Sequence, residues 1–212
     1  MKHMKSIKYI GVFVLLMIIG VSAHAQQKGM LKLDLNYNYS IPLGSFKNDM
    51  IDKASPRGAS AALMYGINEK WSAGIQFGFQ DFYQKYPRDL YKTGDNEVTS
   101  AVLTNSILQV PLIAKGTFKP LGGTKSFIQP YISAGAGISM IDFKQYLGEF
   151  GSSINSASFT AQAGVGVMVP FSKGSASGFG IGADYNYVPY TKYDYSNMNN
   201  LTVHAGVHFP LR

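Results

Sequence analysis

The chain has 212 residues, 46% of them hydrophobic, with no cysteine and a formal net charge of +7. The lack of cysteine excludes a disulfide framework, a thiolate metal site, a cysteine nucleophile and a lipid-modified N-terminal cysteine. The basic residues are scattered rather than clustered, so the charge is no nucleic-acid signature.

Met1 to Tyr9 carries Lys2, Lys5 and Lys8; Ile10 to Val21 is unbroken apolar or Gly; Ser22-Ala23-His24-Ala25 then gives a small-x-small site before Gln26. This pattern predicts a cleavable signal peptide over residues 1–25 and an exported chain over 26–212. The apolar core is shorter than the roughly 20 residues a spanning helix needs. Cleavage would remove three lysines and no acid, leaving a net charge of +4. Beyond it no run of about 18 apolar residues occurs, so a membrane-spanning form of this chain has to be a closed barrel.

From Gly29 onward the pattern has period two. In the first strand Leu31, Leu33, Leu35, Tyr37, Tyr39 and Ile41 face one way and Lys32, Asp34, Asn36, Asn38 and Ser40 the other. Pro42 ends it, and a polar loop runs to about Arg57. Ala59, Ala61, Leu63 and Tyr65 form the outward face of the second strand, and Ile67 to Lys70 is a tight turn. In the third, Trp71, Ala73, Ile75, Phe77 and Phe79 face out while Ser72, Gln76 and Gln80 face in. Phe82 to Thr99 reads as a long loop.

The fourth strand, Ser100 to Phe118, is mixed, because Leu103, Ile107 and Ile113 share a face with Asn105, Gln109 and Lys115. Pro111 inside it predicts a bulge that reverses the facing. After a short connection, the fifth strand puts Ile128, Ile132, Ala134, Ala136, Ile138 and Met140 outside, and Asp142 to Asn155 reads as a loop. The sixth carries Phe159 to Val169 outward at alternate positions. The seventh does the same with Phe179, Ile181, Ala183, Tyr185 and Tyr187. Pro189 to Asn200 leads to the last stretch, Leu201 to Phe209, whose Leu201, Val203, Ala205, Val207 and Phe209 alternate with Thr202, His204, Gly206 and His208.

The count is eight, and the connections alternate long and short. Apart from strand four, whose register the sequence leaves open, the outward faces lack Lys, Arg, Asp and Glu across their middles, where a membrane barrel would lose roughly 2–4 kcal/mol per Lys or Arg. The sequence therefore predicts an all-β chain: an eight-stranded, antiparallel, up-and-down transmembrane β-barrel behind a signal peptide.

Two stretches resemble a known family. LTVHAGVHF, Leu201 to Phe209, looks like the closing strand and assembly signal of an outer-membrane barrel, with Phe209 as the signal residue. LQVPLIAKGTF, Leu108 to Phe118, is similar to a strand recurring in such barrels. The chain resembles the small barrels of the OmpA, OmpX and OmpW kind, the porin family. The resemblance implies a place in the outer membrane of a Gram-negative bacterium with both termini periplasmic. The implied partners are outer-membrane lipid and lipopolysaccharide, periplasmic chaperones and the barrel-assembly machinery, with no nucleic acid and no cofactor. It implies a non-catalytic structural or surface-interaction role through the extracellular loops. A narrow channel for small or apolar solutes is the alternative, with a lipid-modifying enzyme or a secretion accessory behind it. Pro210-Leu211-Arg212 departs from the family's terminal aromatic and is expected to be a dispensable overhang.

The inward polar residues predict a lumen cluster: Lys32, Asp34, Asn36, Gln76, Gln109, Lys115, Asp184, His204 and His208. Lys32 and Lys115 are expected to pair with carboxylates such as Asp34 and Asp184. His204 and His208, four apart on a strand, stand roughly 13 Å apart, too far for one metal. A hydrolytic site would need His204 and Asp184 with a serine such as Ser133 or Ser139, and no local motif supports one. The inward glycines, among them Gly135, Gly137, Gly164, Gly166, Gly180 and Gly182, are expected to leave room for large side chains from the opposite half. The loop aromatics Phe143, Tyr146, Phe150, Tyr190, Tyr193 and Tyr195 are expected to form an outer girdle, to pack loops or to meet a partner.

Overall fold

The structure is a computed structural model and describes residues 29–92, 98–124, 126–172, 175–192 and 195–211. The expected signal peptide, Tyr193 and Arg212 lie outside the described residues. Eight strands make the wall: β1 (Leu31–Pro42), β2 (Ser55–Gly66), β3 (Trp71–Lys92), β4 (Val98–Phe118), β5 (Gln129–Leu147), β6 (Phe150–Pro170), β7 (Gly178–Tyr187) and β8 (Asn200–Leu211). Each pairs antiparallel with its neighbours in sequence, and β8 returns to β1 to close the barrel.

The expected alternation is the physical basis of this wall. Its outer face carries exposed apolar side chains such as Ile75, Phe77, Ile132, Val165 and Ile181, a surface suited to lipid. Inward residues of the same strands, Gln76, Ser133 and Asp184 among them, are buried. At the end of the wall where Leu31 pairs with Leu211, Trp71 and Phe118 pack with ring centroids 4.7 Å apart.

Three sequence expectations are corrected. First, the wall is taller than predicted. β3 has 22 residues and β4 and β6 have 21 each, whereas about 9–11 suffice to cross a bilayer at a tilt. The stretches expected as loops, Phe82 to Thr99 and Asp142 to Asn155, are mostly paired strand. Their polar and charged residues resemble loop sequence, yet they continue the ladders of the wall. The β5–β6 hairpin closes through Gly148 and Glu149 alone, with Gly148 at φ +63°, the geometry of a II′ turn.

Second, Pro111 makes no bulge. The pairing with β5 passes through Pro111↔Ser139 without a break. The pairing with β3 lapses between Phe77↔Leu112 and Gln80↔Gln109 and resumes in the same register. The missing N–H thus costs local ladder bonds and leaves the facing unchanged. The bulge in this hairpin lies elsewhere, between Lys85 and Arg88.

Third, Pro210 and Leu211 are not an overhang. Lys32↔Pro210 and Leu31↔Leu211 are the last steps of the closing ladder.

Candidate functional site: the barrel interior

The interior is stacked in layers, the first of them at the end of the wall where Leu31 pairs with Leu211. Lys32, Asp34 and His208 come first, with Asp34 directly across from His208 in the closing ladder. Lys119, just past β4, joins them; it is 4% exposed and interacts electrostatically with Asp34. Lys32 interacts with Asp34 in the same way but makes no ion pair within 4 Å among the described residues. Sequence inspection missed Lys119 because it sits beyond the end of the alternating pattern, in what reads as a turn.

The next layer is the most tightly connected. Lys115 Nζ lies 3.6 Å from Asp184 Oδ2 and donates to Gln76 Oε1 at 2.9 Å. His204 Nδ1 lies 3.2 Å from the same carboxylate oxygen. Its Nε2 is 2.9 Å from Tyr131 Oη. In the neutral ring, Nδ1–H donates to Asp184 and Nε2 accepts from the tyrosine hydroxyl. Asp184 is 3% exposed. A carboxylate so deeply placed persists only when hydrogen-bonded and paired, and this layer supplies both.

Glycine makes the layer possible. A Cβ at Gly164 would collide with Asp184 Oδ1, and one at Gly182 would fall 2.5 Å from Tyr131 Oη and 2.8 Å from His204 Nε2. Similarly, Ile113 is buried because its Cγ2 occupies space that a Cβ at Gly135 would invade. The large residues that fill the glycine half come from β4 and β5 as well as from the polar cluster.

Above it runs an amide and hydroxyl network. Asn186 Nδ2 donates to Asn200 Oδ1 at 2.9 Å and to Thr202 Oγ1 at 3.0 Å, and Gln162 Nε2 donates to Asn186 Oδ1 at 3.0 Å. Asn200 Nδ2 reaches Gln109 Oε1 at 3.3 Å, and Ser40 and Thr202 hydroxyls are 2.7 Å apart. Two small cavities flank the Lys115–Asp184 layer. The lower, about 30 Å³, is lined by Asp34, Asn36, Lys115 and His208, among others. The upper, about 40 Å³, is lined by Gln80, Gln109 and Gln162, among others. Gln80 Oε1, Gln109 Nε2 and Gln162 Oε1 have no protein partner, and a polar cavity of this size accommodates one or two waters.

The far mouth is closed by apolar side chains. A five-residue π-helical turn, Phe46–Met50, lowers Phe46 and Met50 into the opening. There they and Ile51 pack with Phe82, Ile107, Ile141, Phe143, Val188, Tyr190 and Met198. Phe46 and Phe82 meet edge to face at 4.9 Å. Asn105 Nδ2 and Tyr86 Oη both donate to Met50 O, at 2.9 and 3.0 Å, which holds the turn down. Phe143 and Tyr190 therefore point into the mouth, whereas Tyr146 and Phe150 are exposed.

As for chemistry, Ser133 Oγ contacts Asp184 Oδ1 at 3.5 Å and Ser139 lines the upper cavity. Neither bonds His204, whose Nε2 is taken by Tyr131. Among the described residues no group of three or more His, Asp or Glu is arranged to hold a metal ion.

The family described as "Outer membrane protein beta-barrel domain" matches residues 11–209. Among solved structures, Neisserial surface protein A (NspA) is similar with a TM-score of 0.55 at 15% identity, over 86% of this chain and 96% of that one. The outer membrane protein OprG from Pseudomonas aeruginosa is similar with a TM-score of 0.55 at 12% identity, over 90% of this chain and 100% of that one. Ail, the attachment invasion locus protein of Yersinia pestis, aligns with a TM-score of 0.44 at 18% identity, over 86% and 100%. No curated protein sequence is significantly similar to this one.

Proposed function

Because this chain belongs to the outer-membrane β-barrel domain family, we propose that it is a non-conducting, non-catalytic barrel acting at the cell surface. In this reading the short turns and both termini are periplasmic. The tall ends of β3 to β6 then stand outside the cell as a protruding sheet that meets partners. The observation that carries the reading is the double closure of the lumen. An apolar plug built on Phe46, Met50 and Phe82 lies above a layer in which Lys115, Asp184, His204 and Tyr131 are bonded to one another. A hydrated ion would have to break buried charge pairs and then cross a dry, packed mouth, and both steps are strongly unfavourable.

The competing reading, a narrow conduit for small or apolar solutes, requires both barriers to open. Catalysis gains no support from the interior, since the histidine beside the carboxylate is committed to a tyrosine. The partners this reading calls for are outer-membrane lipid and lipopolysaccharide around the wall, with periplasmic chaperones and the barrel-assembly machinery during insertion. Planar-bilayer recording of the refolded protein tests the proposal. The wild type is expected to be silent, and steady current through it would overturn the non-conducting assignment.

A further inference from the structure

The bulge in β3 has a consequence for the outer wall. As far as Lys85, odd-numbered residues of β3 face outward, and Lys85 stands opposite Thr104 of β4. The next pair is Arg88↔Val102, so Tyr86 and Pro87 are accommodated across from a single residue. Thr104 and Val102 lie on the outer face of β4, continuing the alternation of Leu108 and Ser106, and directly opposed residues share a face. Lys85 and Arg88 therefore both point outward. Without the extra residue, Arg88 would turn inward.

Arg57 of β2 joins them. It lies over the Tyr83 ring, 5.2 Å from the centroid, and its Nε is 3.4 Å from Asp81 Oδ2. Arg57, Lys85 and Arg88 are exposed, and Lys85 and Arg88 make no ion pair among the described residues. On the protruding part of β5, by contrast, Lys144 is neutralised by Asp142 at 2.8 Å. The exposed stretch of β6 from Phe150 to Ala157 has no charged residue at all. The positive surface is thus confined to one side.

Its height identifies what it meets. Tyr83 is 12 residues along β3 from Trp71, roughly 40 Å of strand. At a barrel tilt of about 40° that is roughly 30 Å of height, the thickness of the hydrocarbon core. Tyr83 then sits at the far interface with Arg57 stacked on it, and Lys85 and Arg88 occupy the headgroup layer. We propose that Arg57, Lys85 and Arg88 bind the phosphate of an outer-leaflet lipid headgroup, Arg57 being steered by Asp81 and Tyr83. The assignment to the outer leaflet rests on the orientation given under Proposed function; phosphate recognition at this height does not.

The test uses the refolded full-length barrel in nanodiscs of phosphatidylcholine containing a small fraction of either a bis-phosphorylated glycolipid (lipid A) or the same lipid dephosphorylated. Glycolipid retained after detergent exchange is measured by mass spectrometry. The wild type should retain the phosphorylated lipid preferentially. The R57Q/K85Q/R88Q variant should lose that preference, a drop on the order of a hundredfold for three interfacial cations. K144Q, on the other side, should retain as the wild type does. Heat-dependent gel mobility verifies that each variant is folded. Equal retention of both lipids, or an unchanged preference in the triple variant, would overturn the proposal. Full displacement of the lipid by millimolar inorganic phosphate would assign the site to free phosphate instead and overturn the lipid assignment. Because a nanodisc exposes both faces, these results are independent of orientation in the cell, which surface tags report separately.

Discussion

His204 Nδ1 lies 3.2 Å from Asp184 Oδ2 although the two residues are not paired in the β7–β8 ladder, where Asp184 stands opposite Thr202 and His204 opposite Gly182. The contact is diagonal, made possible by the empty position at Gly182, and Lys115 reaches the same carboxylate from the opposite side of the barrel. Asp184 is therefore the hub that ties β7 and β8 to β4, and through Tyr131 to β5.

Removing that hub should be costly. Asp184→Asn leaves Lys115 buried without its carboxylate, and the loss of one member of a buried pair typically destabilises by about 3–5 kcal/mol. Equilibrium urea unfolding in detergent micelles measures it. Replacing both partners, Lys115→Met with Asp184→Leu, should recover much of the loss. A single variant as stable as the wild type would remove Asp184 from its central place.

Two glycines on one strand provide a sharper comparison. A methyl group at Gly182 meets Tyr131, His204 and the Val165 carbonyl within 2.8 Å, whereas one at Gly180 finds nothing nearer than 3.9 Å. Gly182→Ala should cost about 1–3 kcal/mol by overpacking, and Gly180→Ala should stay within about 0.5 kcal/mol. In a Tyr131→Phe background the Gly182 penalty should shrink, because the nearest obstructing atom is gone. Equal penalties at the two glycines would contradict the packing described for this layer.

At the closing seam, Phe209 pairs with Leu33 on the outer face, and Pro210 and Leu211 extend the ladder. Deleting residues 210–212 should lower the fraction inserted into the membrane measurably, and Phe209→Asp should lower it further. Densitometry of heat-modifiable bands resolves the two. Full insertion of the truncated chain would show that the last two ladder steps are dispensable.

Orientation has its own test. An epitope placed at Gly148-Glu149 or near Lys53 should be reached by antibody on intact cells, and one at Asn68 only after permeabilisation. The reverse pattern would invert the topology.

Where each strand face meets one uniform medium, the fold was legible from the residues. Leu31 to Ile41, Trp71 to Phe79 and Leu201 to Phe209 alternate because lipid lies on one side and the packed interior on the other. Above the lipid that contrast fades, and Asp142 to Asn155 reads as loop although it is a hairpin. The inward residues could likewise be identified, but not their partners. Partnering depends on contacts across the barrel, and Lys115 contacts Asp184 rather than its ladder neighbours Gly74 and Gly135. Ile107 and Ile113 looked out of place on a polar face. One belongs to the apolar plug and the other fills the gap beside Gly135.

The seam between β1 and β8 also dictates when this protein can fold. Ser40 and Thr202 touch although 162 positions separate them in the chain, and the twelve rungs around them are contacts of the greatest sequence separation in the wall. Such contacts bring the largest loop-closure penalty and the slowest kinetics. Until Asn200 to Leu211 arrives, β1 and β7 each expose an unpaired edge beside a lipid-seeking face, a combination that invites aggregation. Sealing is therefore a late event relative to the other ladders, possible only once Asn200 to Leu211 has been synthesised, and a product truncated before Asn200 lacks the strand that closes the barrel.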